Sequence, residues 1–214
     1  MPGPAQPQPG RAPASKLPPE IERGFYAEFD FGTLMYLGDA GANVQPGVMA
    51  GFAVGADIGQ YLKIEGRMLN ATNDSSGKYF KVNGQPPAVI TANPCPDGDP
   101  NAACAQAPDV QSSLVVGNLK AAYSLSERLQ VHGLLGGGVL LTNPAPEQIF
   151  EFDAETHITD PKSVESGSTP IFGGGFGMQY YTRLRHFSVG TDLAVYAGGG
   201  GLIVTVYPTI KYTF

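Results

Sequence analysis

Three stretches of this chain carry side chains whose type and spacing could support chemistry. In "RHFSVG", His186 stands two residues before Ser188. A serine becomes a nucleophile when a base lies in hydrogen-bond reach and a carboxylate orients that base. The residues that follow where an orienting carboxylate would be wanted are largely glycines, so the pair reads as a turn histidine and a strand serine. In "PDGDPN", Asp97, Asp99 and Asn101 alternate as oxygen ligands do in Ca²⁺ loops. The EF-hand pattern asks for Gly at its sixth position and Glu at its twelfth. Here those positions hold Ala102 and Pro108, which leaves a weak Ca²⁺ candidate in an acidic turn. The third stretch, "PEQIFEFDAETHITDPKSVES", holds six acidic residues and one lysine. Paired carboxylates suggest glycoside chemistry only in a rigid cleft. On a loop, the strip Phe150, Glu151, Phe152 and Asp153 reads as a contact surface, because exposed apolar residues mark contacts.

The remaining candidates are structural. Gly136–Gly138, Gly173–Gly175 and Gly198–Gly201 precede no helix and lack the GK[ST] ending of a phosphate loop. Glycine inside strands eases curvature and leaves room for large neighbours. His132 reads as a hydrogen-bonded interior residue, and His157 is alone in a loop. Cys95 and Cys104, the only cysteines, enclose a short polar loop and read as one loop-closing disulfide of an oxidising compartment, with free thiols as the alternative. No cofactor is called for and no enzymatic activity is expected.

What would position such groups is a sheet. With 29 Gly, 19 Pro and a net charge of −6, the chain is neither helical nor suited to nucleic acid, which requires clustered Lys and Arg. No apolar stretch reaches 18 residues, so no membrane-spanning helix is expected. The N-terminus lacks a secretory pattern, which suggests either a cytosolic chain or a mature form with its leader removed. Residues 1–23 are proline-rich and read as a disordered tether. From residue 24 onward, eight runs alternate with period two: about 24–37, 47–58, 61–72, 110–123, 129–142, 170–182, 187–197 and 204–214. Charged residues sit on the face opposite the large apolar ones. In the third run, Lys63, Glu65 and Arg67 oppose Leu62, Ile64 and Met68. Short connections alternate with longer ones, at roughly 38–46, 73–109 and 143–169.

Short turns at one end, long loops at the other and apolar residues facing out are the habit of transmembrane barrels. In lipid, every backbone polar group must be paired internally, which a closed sheet achieves. The chain ends "VTVYPTIKYTF", with Ile210, Tyr212 and Phe214 on one face. It resembles the small eight-stranded outer-membrane barrels of the OmpA/OmpX type. In that family a terminal Phe preceded by alternating apolar residues is the signal read by the barrel-assembly machinery. Pro208 departs from the pattern and predicts a bulge.

The resemblance implies an all-β, eight-stranded antiparallel up-and-down transmembrane barrel over 24–214 in the outer membrane of a Gram-negative bacterium. It places the termini in the periplasm and outer-membrane lipid around the wall. Tyr26, Tyr36, Tyr123, Tyr180, Tyr181, Tyr196, Tyr207 and Tyr212 are expected to form girdles at the membrane interfaces. Glu28, Asp30, Asp57, Lys63, Glu65, Arg67, Lys120, Asp192 and Lys211 are expected to pair inside the lumen, filling it. The His-x-Ser spacing is similar to that of lipid A deacylases, which are also outer-membrane barrels but have their site facing lipid. Here the topology puts His186 and Ser188 on the inner face at the periplasmic end. In length and Gly/Pro-rich style the chain is similar to a small family of myxobacterial gliding-motility outer-membrane proteins. The function expected is a non-catalytic scaffold or binding protein, with membership of a motility or adhesion complex as its narrower form and loops 73–109 and 143–169 meeting envelope protein partners. Lipid A modification and a narrow ion-conducting pore are the alternatives.

Overall fold

A computed structural model of the chain describes residues 24–38, 41, 44–75, 79–80, 105–106, 109–143, 146, 149–150, 167–184, 186–198 and 201–214. The proposed tether, Cys95, Cys104, Asp97, Asp99, Asn101, Glu151, Phe152, Asp153 and His157 lie outside these residues. So does the side chain of Phe150.

Eight long strands follow the period-two runs: β1 (Phe25–Leu37), β2 (Gly47–Ile58), β3 (Leu62–Asn73), β6 (Val110–Ser124), β7 (Leu129–Asn143), β9 (Gly167–Tyr181), β10 (Phe187–Gly198) and β11 (Gly201–Thr213). Each pairs antiparallel with the next in the chain, and β1 closes on β11. Three two-residue strands lie between them: β4 (Tyr79–Phe80), β5 (Ala105–Gln106) and β8 (Ile149–Phe150). They form a separate small sheet in the order β5-β4-β8. The 143–169 connection therefore pairs with the 73–109 connection through β8 and β4.

Closure fixes the dimensions. Ala27 pairs with Val54, and the ladder continues through Gly66, Gly117, Gly137, Phe172, Ala197 and Leu202 to reach β1 again at Leu37. One circuit thus advances ten residues, from 27 to 37, along β1. With eight strands, standard spacings give a tilt of about 40° and a backbone radius of about 8 Å. That bore is filled by side chains.

The expected bulge at Pro208 does not occur. Asp30 pairs with Thr209 and Thr33 with Val206, so the register is the same on both sides of Pro208. The ladder only omits the two intervening pairs, because proline has no N–H to give. On its other side Pro208 pairs normally with Thr191.

Parity decides which residues meet lipid. Phe29, Phe52, Ile64, Leu119, Leu135, Phe172, Phe176 and Ile210 are exposed on the outer wall. No outward position on the eight long strands carries a charge, whereas Asp30, Glu65, Arg67 and Asp192 are buried inside. The tyrosine girdle is largely overturned by the same alternation. Tyr26, Tyr36, Tyr181, Tyr196 and Tyr207 are buried in the barrel, and only Tyr123, Tyr180 and Tyr212 face out. Their strand-end positions suggested interfaces, but each of the five falls on inward parity.

Inward glycines are needed for closure. A Cβ at Gly175 would collide with the backbone carbonyl of Leu193, and one at Gly173 with that of Val195. A Cβ at outward Gly133 would meet only Gly175 O at 4.0 Å. Gly175→Ala is therefore expected to destabilise the barrel by about 1–3 kcal/mol, with Gly133→Ala near neutral. Urea midpoints, read from the gel mobility of the folded form, will show this ordering.

Candidate functional site

The interior is built in two storeys because inward residue types change along every strand. Near the long loops the larger inward side chains are mostly apolar: Leu34, Met49, Leu69, Leu114, Leu140 and Ile203 are all buried there. Val44, from the β1–β2 connection, folds in to join them. Asn73 anchors that connection by donating to Leu34 O and Gln45 O, both at 2.9 Å. This apolar plug had no distinct signal in the sequence. Its residues were visible as inward neighbours, but their shared level depends on strand stagger.

The storey nearer the short turns is ionic. Arg67 lies at its centre, donating through Nε to Glu65 Oε1 at 2.9 Å. Its Nη2 lies 3.3 Å from Glu28 Oε1 and 3.6 Å from Asp192 Oδ2, while Nη1 is 3.6 Å from Asp30 Oδ2. Lys120 bridges Glu65 at 2.9 Å and Asp192 at 3.0 Å, with Glu28 at 3.9 Å. Four carboxylates from β1, β3 and β10 thus share two cations from β3 and β6. Tyr26 donates to Glu65 Oε2 at 3.1 Å, and Asn118 donates to its Oε1 at 3.3 Å. His132 Nε2 meets Asp192 Oδ1 at 2.8 Å, giving that histidine a hydrogen-bonding role in the lumen.

A second group stands closer to the turns. Lys63 donates to Gln130 Oε1 at 2.7 Å and to Gln179 and Tyr181, both at 3.3 Å, with Asp57 Oδ1 at 3.7 Å. Lys211 stands apart from the ion pairs among the described residues, and its ammonium caps the Tyr26 ring at 3.6 Å. Where the storeys meet, the Arg67 guanidinium stacks 4.5 Å from the Tyr207 ring centroid. Tyr26, Tyr181 and Tyr207 thus accept a cation on the ring face or donate a hydrogen bond from the hydroxyl. Sequence parity placed Arg67 on the inner wall, but gave no sign that it would touch carboxylates from three strands.

The His186–Ser188 pair is not assembled. Ser188 is buried inside, as expected, but its Oγ has no hydrogen-bond partner in the protein. His186 is exposed in the β9–β10 turn, with Nδ1 2.8 Å from Thr213 O and its ring stacked on outward Tyr212 at 5.6 Å. Having the same parity did not suffice, because the turn carries His186 off the strand and onto the rim. Phe187 and Phe214 pack edge-on against Tyr212 at 5.0 and 5.1 Å. The terminal residues Tyr212 and Phe214 therefore lie in an outward aromatic cluster at the turn end, with Ile210 exposed on the same face.

A charged group buried without its partner is costly, so the cluster should respond strongly to loss of its central cation. Arg67→Met is expected to cost roughly 3–5 kcal/mol. Lys211→Met removes no ion pair and should shift the urea midpoint far less. Equal losses in the two variants would contradict the central place of Arg67.

No family model and no curated relative matches the chain. Its fold is similar to that of Neisserial surface protein A (NspA), at 9% identity over 89% of this chain and 97% of that one, with a TM-score of 0.57. It is also similar to Ail, the attachment invasion locus protein of Yersinia pestis, at 11% identity over 90% of this chain and 100% of that one, with a TM-score of 0.50. At such identities the likeness is one of fold: a closed, eight-stranded antiparallel barrel similar to known outer-membrane barrels.

Proposed function

We propose that this protein is a non-catalytic barrel of a Gram-negative outer membrane, with its termini and short turns toward the periplasm and its long loops outside. The observation that carries the reading is the division of labour along the barrel axis. The wall is uncharged and mostly apolar outside, the bore is occupied by ion pairs and an apolar plug, and the long connections lie at one end. There β4 pairs with β8, which joins the 73–109 and 143–169 connections at Tyr79–Phe80 and Ile149–Phe150. Ail, a barrel of the same form, is by name an attachment and invasion protein, and that analogy supports a surface that meets an external partner. The proline-rich segment 1–23 would reach envelope partners on the other side, and the terminal Ile210, Tyr212 and Phe214 would be read by the assembly machinery. A role in motility is a narrower form of the same reading, and no observation singles it out.

The pore and enzyme alternatives have less support. Arg67 reaches across the bore at 3.6 Å or less to carboxylates on β1 and β10. Ser188 lies inside the wall, away from His186. Protein reconstituted in planar bilayers should give no single-channel steps; regular steps would overturn the scaffold reading in favour of a pore. Incubation with lipopolysaccharide should leave its mass unchanged, whereas loss of an acyl chain that disappears in Ser188→Ala would establish an enzyme. Deleting residues 81–104 should leave a folded barrel and abolish cross-linking to the partners captured through the long loops, while those captured through residues 1–23 remain.

A further inference from the structure

Seven of the eight seams pair without interruption, and the exception is the one that closes the barrel. Between Asp30–Thr209 and Thr33–Val206 the β1–β11 ladder omits Phe31–Pro208 and Gly32–Tyr207. Both omissions trace to one missing bond. Phe214 N donates to Phe25 O at 2.9 Å, and bonded pairs recur at every second residue, so Phe31 and Pro208 would form such a pair. Pro208 has no N–H, and Phe31 O therefore loses its ladder donor. Gly32, inward beside it, brings no side chain to cover that oxygen.

The same short length of seam holds side chains with unmet polar atoms. Asp30 is fully buried, and neither of its oxygens accepts a hydrogen bond. Its ion pair is Arg67 Nη1 at 3.6 Å, whereas Glu65 has Arg67 and Lys120 at 2.9 Å and Asp192 has Lys120 at 3.0 Å. Tyr207, level with Gly32 on β11, is also fully buried, and its hydroxyl has no partner. It lies within Coulombic reach of Asp30. Net charge shows what these oxygens lack. The long strands carry five carboxylates and four basic side chains, all on inward parity. His132 does not redress the balance at Asp30, because its ring meets Asp192. A water behind the seam would serve the oxygens but leave a surplus charge buried, which is costly.

We propose that the inner side of the β1–β11 seam binds a small monovalent cation of about the size of sodium, on the Asp30 carboxylate, the Phe31 main-chain oxygen and the Tyr207 hydroxyl. All three are hard oxygen donors, which suit a hard cation. One surplus charge selects a monovalent ion, and a divalent one would overshoot beside Arg67. Pro208 thus creates a ligand by withholding a hydrogen-bond donor from Phe31 O. The ion enters as the barrel closes, so no path through the plug is required.

The test uses the full chain refolded in detergent micelles at fixed pH and ionic strength, with either sodium chloride or choline chloride as the salt. Wild type should show a higher urea midpoint in sodium and should broaden the sodium NMR resonance. Pro208→Thr restores an N–H opposite Phe31 O, and Tyr207→Phe keeps the ring under Arg67 while removing the hydroxyl. Each should raise the sodium concentration at half effect about tenfold, as expected for one lost contact to a charge. Asp30→Asn should abolish the sodium effect, and Ser112→Ala near the loop end should leave it unchanged. Gel mobility identifies the folded form of each variant. Equal wild-type midpoints in the two salts would overturn the proposal and leave a water or a proton at Asp30. A sodium effect that survives Asp30→Asn would also overturn it, since that marks an ordinary response to electrolyte.

Discussion

Hydrocarbon offers no hydrogen bonds to a peptide backbone, and the architecture follows from that. An open sheet would leave two edges of unpaired N–H and C=O groups in lipid, so the eighth long strand must return to the first. The return is made by β11 on β1, with a ten-residue stagger accumulated over the circuit. Stagger sets tilt, tilt sets radius, and the radius leaves room for side chains but not for a channel lined by them. The inward glycines belong to the same constraint, since Cβ atoms at Gly173 and Gly175 would collide with backbone carbonyls of the neighbouring strand. Even Pro208 obeys it, costing ladder pairs without shifting the register.

Once the cylinder is closed, the alternation of side chains becomes a choice between two solvents. Large apolar residues on outward parity meet lipid. Ionised residues on inward parity have neither lipid nor bulk water and must satisfy one another. Buried ion pairs gain little net stability over well-packed apolar residues, but losing one partner is expensive. The cluster around Arg67 and Lys120 is therefore better understood as a device for specificity. It joins β1, β3, β6 and β10 through contacts that one register alone provides, so a slipped strand would strand a charge. The apolar plug at the other end adds packing without such demands, and Tyr207 under Arg67 provides the transition between the two.

Much of the fold was legible in the chain because period-two patterning survives without any knowledge of partners. The third run, Lys63 to Met68, permits only one assignment of faces, and the structure adopts it. The tyrosines show where such reading fails. Tyr26, Tyr36, Tyr181, Tyr196 and Tyr207 suggested interfacial girdles by residue type, yet parity sends them inward, where their rings and hydroxyls serve the lumen. Type and parity disagreed, and parity prevailed because a covalent chain cannot turn one side chain without turning its neighbours. His186 failed for a different reason: it belongs to a turn, where alternation no longer governs direction.

The sequence by itself determined that eight strands exist, roughly where each runs, which side of each faces lipid, and at which end the long connections gather. These are local properties, set by neighbours two residues apart and by the lengths between runs. Only the tertiary structure decided which inward residues share a level, so that Arg67 meets Asp192 and Tyr207 instead of other lumen groups. The same is true of the pairing of β4 with β8 across two connections, and of the placing of Gly66 beside Gly117 on the outer wall. Those relations depend on the stagger accumulated around a closed cylinder, a global quantity that no single strand carries.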